Sequence, residues 1–259
     1  MSALSGWRVL VPRPPGRSSS LVSLLSTEGA VAQAIPMISI EPPADLAALD
    51  AAALTLAAGE YSWVGFTSVN ALAAILDRAA HLALSPAIPA DTRVAAVGPA
   101  TAAALRCAGI PVDLVPSHSG SAATLGAIWP SVHTGESVLL PQSEIAAPLL
   151  LELLQQKHFR VDLVTAYRTV PHPPSRGVAA DLAAGQFDAV LLTSASTATA
   201  LAKAPPAPGT VLGAIGPSTA AAAVAAGLEI AYIAANPSDS GLITGLKSFA
   251  EQHRIGKQS

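Results

Sequence analysis

Charge is scarce in this chain of 259 residues: Asp, Glu, Lys and Arg make up 12%, with 14 basic against 17 acidic side chains and a formal net charge of −3. Without a basic excess no face can neutralise a row of phosphates, so nucleic acid is not expected as a partner. The single cysteine, Cys107, excludes an internal disulfide, and its place in an alanine-rich helical run reads as a small core residue. Long apolar runs are missing too, although 51% of residues are hydrophobic and the mean hydropathy is +0.49. The nearest approach, Ala220 to Ala235, is broken by Gly227 and Glu229, short of the roughly 20 apolar residues that span a bilayer. Much of the hydrophobicity is alanine, which favours helices and adds little lipid affinity. No membrane association is expected. The opening residues lack a basic stretch followed by an apolar one, so the expected location is cytoplasmic.

Several signatures of chemistry are also absent. No Gly-x-Gly-x-x-Gly follows a strand and no Gly-x-x-x-x-Gly-Lys-Ser/Thr occurs, which argues against an ordinary nucleotide site. The six histidines, His118 and His133 among them, show no helical pairing and no cysteine neighbour, so a metal site is not expected. No Gly-x-Ser-x-Gly elbow anchors a hydrolase triad.

What the chain does have is a repeat. Arg93-Val-Ala-Ala-Val-Gly98-Pro99-Ala100-Thr101, running on to Gly109, recurs as Val211-Leu-Gly-Ala-Ile-Gly216-Pro217-Ser218-Thr219, running on to Gly227. Each copy reads as a short apolar strand, a Gly-Pro turn, a helix with threonine in its first turn, and a glycine stop. The rest follows the same plan. Val9 to Pro12 matches Ser137 to Pro141; the helix Ser19 to Glu28 matches Ile145 to Lys157; and the strand-like run Val31 to Ile40 matches Val161 to Val170, each ending at a proline break. Tyr61 to Asn70 matches Phe187 to Ser196, and the turn after Pro116 matches Asn236 to Ser240. A helix over Asp45 to Ala58, another from Ala71 to about Ala80, a strand over Ile110 to Val115 and a helix over Ala122 to Trp129 complete the pattern. Spacings between equivalent marks drift only by loop lengths, so the duplication is taken as real. Alternating strands and helices imply α/β architecture with parallel sheets, in two flavodoxin-like or Rossmann-like lobes.

The polar residues fall into matching sets at predicted strand-to-helix turns. These are Thr67, Ser68 and Asn70 with Thr193, Ser194 and Ser196; Gly98 and Thr101 with Gly216, Ser218 and Thr219; and Ser119 and Ser121 with Ser238 and Ser240. Helix-start N–H groups lack internal partners, so hydroxyls and amides there suit carboxylates or phosphates. Any one of these residues can equally be a plain helix cap; their common placement at the ligand edge of both lobes favours a shared ligand. Tyr167 stands out among only three tyrosines. A phenol can donate a proton to a leaving oxygen, and it can also be packing with a wet hydroxyl; the residues leave both open. Arg13, Arg17 and Arg168 are candidates for positive charge near the ligand.

In this order, Val9-Leu-Val-Pro-Arg13-Pro14, Phe66-Thr67-Ser68-Val69-Asn70-Ala71, Val97-Gly98-Pro99-Ala100-Thr101, Ala166-Tyr167-Arg168-Thr169-Val170 and Ile215-Gly216-Pro217-Ser218-Thr219 resemble the uroporphyrinogen-III synthase family over almost the whole chain. The resemblance implies two lobes, residues 1–36 with 173–259 and residues 37–172, joined by a two-stranded ladder of 31–40 and 161–170. It also implies that the opening βα unit packs with the C-terminal half while 137–157 packs with the middle. The implied reaction is that of a hydro-lyase without cofactors, acting as a monomer: hydroxymethylbilane loses water, inverts ring D and closes to uroporphyrinogen III. Tyr167 would assist departure of the hydroxyl, and Arg13, Thr67, Ser68, Asn70, Gly98, Thr101, Ser194, Ser196, Gly216, Ser218 and Thr219 would bind substrate. Gln142-Ser143-Glu144 departs from an Arg-Gly frequent in relatives. A non-catalytic tetrapyrrole-binding or regulatory protein of the same fold is the alternative; an unrelated transferase with two Rossmann-like lobes lacks its phosphate motif.

Overall fold

A computed structural model describes residues 2–85, 87–117, 120–131 and 135–255. Along the chain run β1 (Arg8–Val11), α1 (Pro15–Thr27), β2 (Val31–Ala34), β3 (Ile38–Glu41), α2 (Ala47–Ala57), β4 (Trp63–Phe66), α3 (Val69–His81), β5 (Arg93–Ala96), α4 (Pro99–Cys107) and α5 (Ala122–Ile128). There follow β6 (Ser137–Ser143), α6 (Leu149–Gln156), β7 (Arg160–Pro171), α7 (Arg176–Ala183), β8 (Ala189–Leu192), α8 (Ala195–Leu201), β9 (Val211–Ala214), α9 (Pro217–Ala225), β10 (Tyr232–Ile233) and α10 (Asp239–Ile255). The chain divides into two units, Met1–Ser39 with Val170–Ser259, and Ile40–Thr169.

In the first unit the strand order is β10-β9-β8-β1-β2, with every pairing parallel. Helices cover both faces, so successive strand residues feed opposite cores. Val9 and Val11 join Leu21, Leu25, Leu191 and Leu246 on one side, while Leu10 joins Leu182, Phe187, Val190 and Leu192 on the other. This explains the wholly apolar Ala-Val-Leu-Leu of β8, in which all four residues are buried.

In the second unit the order is β3-β7-β6-β4-β5, and β5, β4, β6 and β7 run parallel. Val64 and Phe66 point into a core with Leu56, Leu72, Ile75 and Leu105. Trp63 faces the opposite core with Trp129, Leu150 and Phe159.

Chain ends of the repeated helices behave as their glycines require. Gly109 and Gly227 take φ of 75° and 83°, the left-handed conformation that glycine adopts without a Cβ penalty and that ends a helix.

Several expected elements differ in detail. Val31 to Ile40 is two strands: β2 pairs with β1 in the first unit, and β3 lies beside β7 in the sheet of the second. Pro36 lies in the break and has no N–H to give a ladder. Ile110 to Val115 makes only an isolated bridge, Leu114 to Ala95, and α6 starts after Pro148 rather than at Ile145. Cys107, expected in the core, is exposed at the last position of α4. Among the described residues no helix is long and apolar enough to cross a membrane.

Candidate functional site

Because the strands are parallel, the turns that follow them gather at one end of each sheet. In the second unit that end carries Thr67 and Ser68 after β4, and Gly98 after β5. Ser68 is the N-cap of α3, with φ −160° and ψ 156°, and its Oγ accepts from the Ala71 N–H at 3.1 Å. The same Oγ lies 3.1 Å from the Tyr167 hydroxyl, a pair in which either oxygen can be the donor. Thr67 and Asn70 are half-buried beside it.

The reach of Tyr167 to Ser68 depends on an irregularity in the sheet. β6 and β7 pair residue for residue from Ser137↔Arg160 to Gln142↔Thr165, and then Ser143 meets Tyr167, leaving Ala166 as an extra residue. In a regular strand neighbours face opposite ways, so Ala166 and Tyr167 would part. The extra residue changes this: Ala166 is in the α2–α3 side core and Tyr167 packs against that same core. Glu144 N–H donates to the Tyr167 carbonyl at 3.0 Å, holding the irregular turn.

The other two tyrosines have their protons committed. Tyr61 donates to Asp162 at 2.8 Å, and burial together with that carboxylate pushes its phenol pKa up. Tyr232 donates to the Leu242 carbonyl at 2.7 Å, and burial raises its pKa as well. Both are thereby poor proton donors. Tyr167, half-buried, faces a hydroxyl that has a hydrogen to give.

Gly98 caps α4 with extended backbone, and Pro99 occupies the first helical position. A Cβ on Gly98 would stand 3.0 Å from the Gly120 Cα, so this turn packs backbone to backbone against the turn before α5. Ser121 caps α5 in a reciprocal pair with Thr124. Thr101 is 4% exposed, which places its side chain in the interior.

The first unit repeats the frame and changes the wiring. Gly216 caps α9 in the same extended conformation, yet a Cβ on it would meet nothing within 4 Å. Ser218 is exposed and Thr219 buried, 3% accessible. Ser194 caps α8 and accepts from the Thr197 N–H at 3.2 Å; its own hydrogen goes to Thr197 Oγ1 at 3.1 Å, with Ser196 Oγ 3.0 Å away. The turn after β1 carries Arg13. Its Nε donates to Thr193 Oγ1 at 2.8 Å and its terminal nitrogen to Asp239 Oδ1 at 3.0 Å.

The structure therefore brings Ser68 together with Tyr167, and Arg13 together with Thr193. Arg13 is an engaged cation rather than a loose one, and Asp239 is a site neighbour that the motif reading overlooked. The signal was present: in the repeat, Asp239 occupies the slot of Gly120, so a carboxylate stands in one copy only. Arg168 is tied within its own unit to the Pro42 carbonyl and Glu41. His118, Ser119 and His133 lie outside the described residues, as does the side chain of Arg17.

A family model described as uroporphyrinogen-III synthase HemD matches residues 19–244. A porphyrin biosynthesis protein HemD of Ruminiclostridium josui is 30% identical over 196 residues, 75% of this chain and 38% of the relative. A uroporphyrinogen-III synthase of Synechococcus elongatus is 29% identical over 167 residues, 64% of this chain and 62% of the relative. The chain thus spans less than two thirds of the length of either. Among solved structures, a mutant uroporphyrinogen III synthase of Thermus thermophilus superposes with a TM-score of 0.67 at 21% identity, covering 96% of this chain and all of that one. The uroporphyrinogen-III synthetase of Helicobacter pylori gives 0.62 at 15% identity, covering 92% and 97%. At these identities the superpositions speak for the two-lobed α/β fold.

Proposed function

The chain belongs to the uroporphyrinogen-III synthase family, and from that membership we propose that it converts hydroxymethylbilane into uroporphyrinogen III and water, as a cofactor-independent lyase. The first step breaks the C–O bond of the terminal hydroxymethyl group. The adjacent pyrrole nitrogen supplies the electron pair, and Tyr167 supplies the proton that lets the oxygen depart as water. The resulting azafulvene is attacked by a substituted carbon of ring D, giving a spiro intermediate that fragments and recloses with ring D inverted. Closure releases one proton, which restores the phenol. Much of the barrier is thus a matter of holding a flexible linear molecule in one geometry.

The substrate carries eight carboxylates, whereas the chain carries few cations. Helix-start amides and hydroxyls take their place: at the start of α3 with Thr67 and Asn70, at the start of α4 behind Gly98, and at the start of α9 behind Gly216 and exposed Ser218. Ser194 and Ser196 add hydroxyls at the start of α8. Buried Thr101 and Thr219 support the helix starts from inside, and Arg13 contributes a cation already steadied by Asp239.

The observation that carries this reading is the 3.1 Å pairing of Tyr167 with the Ser68 cap, because it holds a phenol in one place beside a helix start. The test is to feed the purified chain hydroxymethylbilane and separate the products. The III isomer in excess over the spontaneously formed I isomer is expected; folded protein that yields only the I isomer overturns the proposal.

A further inference from the structure

Ser68 has two polar neighbours, and they are not equivalent. The Ala71 N–H can only donate to its Oγ. The Tyr167 oxygen can accept. Of the two, only the phenol oxygen can therefore receive the hydrogen of the Ser68 hydroxyl, and a hydroxyl that accepts from a helix amide is polarised toward donating. With its oxygen occupied in this way, the phenol is left with its own hydrogen directed elsewhere.

We infer that Ser68 is a positioning residue for Tyr167: it takes the Ala71 amide hydrogen, gives its own to the phenol oxygen, and so turns the Tyr167 proton outward to the departing hydroxyl of the substrate. This rests on the reaction proposed above and adds a residue that works through another. The extra residue Ala166 in β7 sets the distance, since it turns Tyr167 onto the face that carries α3. The matching serine of the first unit does something else: Ser194 gives its hydrogen to Thr197 inside its own turn.

The role separates from plain helix capping by choice of variant. Ser68→Asp keeps a good cap acceptor but has no hydrogen to give, so it draws the phenol hydrogen toward itself. Ser68→Gly costs the cap only a few tenths of a kcal/mol and removes the donor. Ser68→Thr keeps both functions. With hydroxymethylbilane as substrate, Ser68→Asp and Ser68→Gly are expected to lower kcat for the III isomer on the order of tenfold, with KM little changed and the melting temperature within a few degrees of the parent; Ser68→Thr restores kcat. In a Tyr167→Phe background the same two substitutions are expected to cost nothing further.

Wild-type kcat in Ser68→Asp, or an equal loss from Ser68→Asp with and without the phenol hydroxyl, overturns the positioning role while leaving the reaction standing. Only isomer I from the unaltered chain overturns the reaction, and the positioning role with it. If Ser68→Asp fails to fold, Ser68→Gly answers the same question.

Discussion

The two units are copies of one plan, and they use the same turn in opposite ways. After β4, the cap serine Ser68 reaches across to Tyr167; after β8, the cap serine Ser194 closes on its own Ser196 and Thr197. After β1, Arg13 is bound to Thr193 and Asp239; after β6 the matching position holds Gln142, 6% exposed, and the slot of Asp239 holds Gly120. One unit thus pairs a phenol with the cap serine after β4, and the other pairs Arg13 with Asp239 after β1. A duplicated frame supplies helix starts twice, and a few substituted positions give the copies different wiring: a serine–phenol contact in one, an arginine–aspartate pair in the other.

The largest effect on this contrast is expected from Tyr167→Phe. Loss of a proton donor of this kind lowers kcat by about 100-fold, read as the rate of III-isomer formation, with the thermal midpoint unchanged. Met37, near the corresponding point of the first unit, is fully buried; Met37→Leu is expected to leave kcat alone and cost under about 1.5 kcal/mol. Loss of activity in the second variant and not in the first would reverse the assignment of tasks.

Next in size is the difference between the two Gly-Pro turns. Gly98→Ala and Gly216→Ala change the same cap, but only the first forces a Cβ against a backbone atom, the Gly120 Cα at 3.0 Å. Urea unfolding should show Gly98→Ala costing about 1–3 kcal/mol more than Gly216→Ala. Equal costs would mean that the turns before α4 and α9 are packed alike.

A smaller effect attends the ion pair. Arg13 and Asp239 are 24% and 21% exposed in their side chains, so Asp239→Ala is expected to cost about 1 kcal/mol, with a lower melting temperature. The smallest concerns Glu28, whose carboxyl Lys247 and Ser2 hold below the usual carboxylate range by hydrogen bonding. A depressed carboxylate stabilises the fold above its unfolded-state pKa, and that contribution is lost as pH falls through the folded-state value. Glu28→Gln should therefore be slightly less stable than the parent at neutral pH, and the gap should close in acid. A gap unaffected by pH would make Glu28 a packing residue.

Much of the frame was legible in the chain. Apolar runs such as Ala189 to Leu192 announce strands covered on both faces, because only such strands exclude polar residues from both sets of alternating positions. The Gly-Pro pairs and the glycines at 109 and 227 mark where α4 and α9 begin and end. Ser68 and Ser194 were readable as helix starts because a cap needs only local geometry. What the residues alone left open was where the Tyr167 hydroxyl reaches, because its partner Ser68 is 99 residues away. The pairing of Arg13 with Asp239, 226 residues apart, was hidden for the same reason.

Sequence by itself determined the alternation of strands and helices, the duplication, and the polar character of each strand-to-helix turn, all of which are local or periodic properties. Tertiary structure decided that β1 lies beside β8 and that β6 lies beside β4, since apolar strands of similar length satisfy one another equally well until whole faces must be covered. It also decided the extra residue at Ala166. That irregularity falls where β6 ends, and with it the tyrosine after Ala166 packs on the side of Ser68.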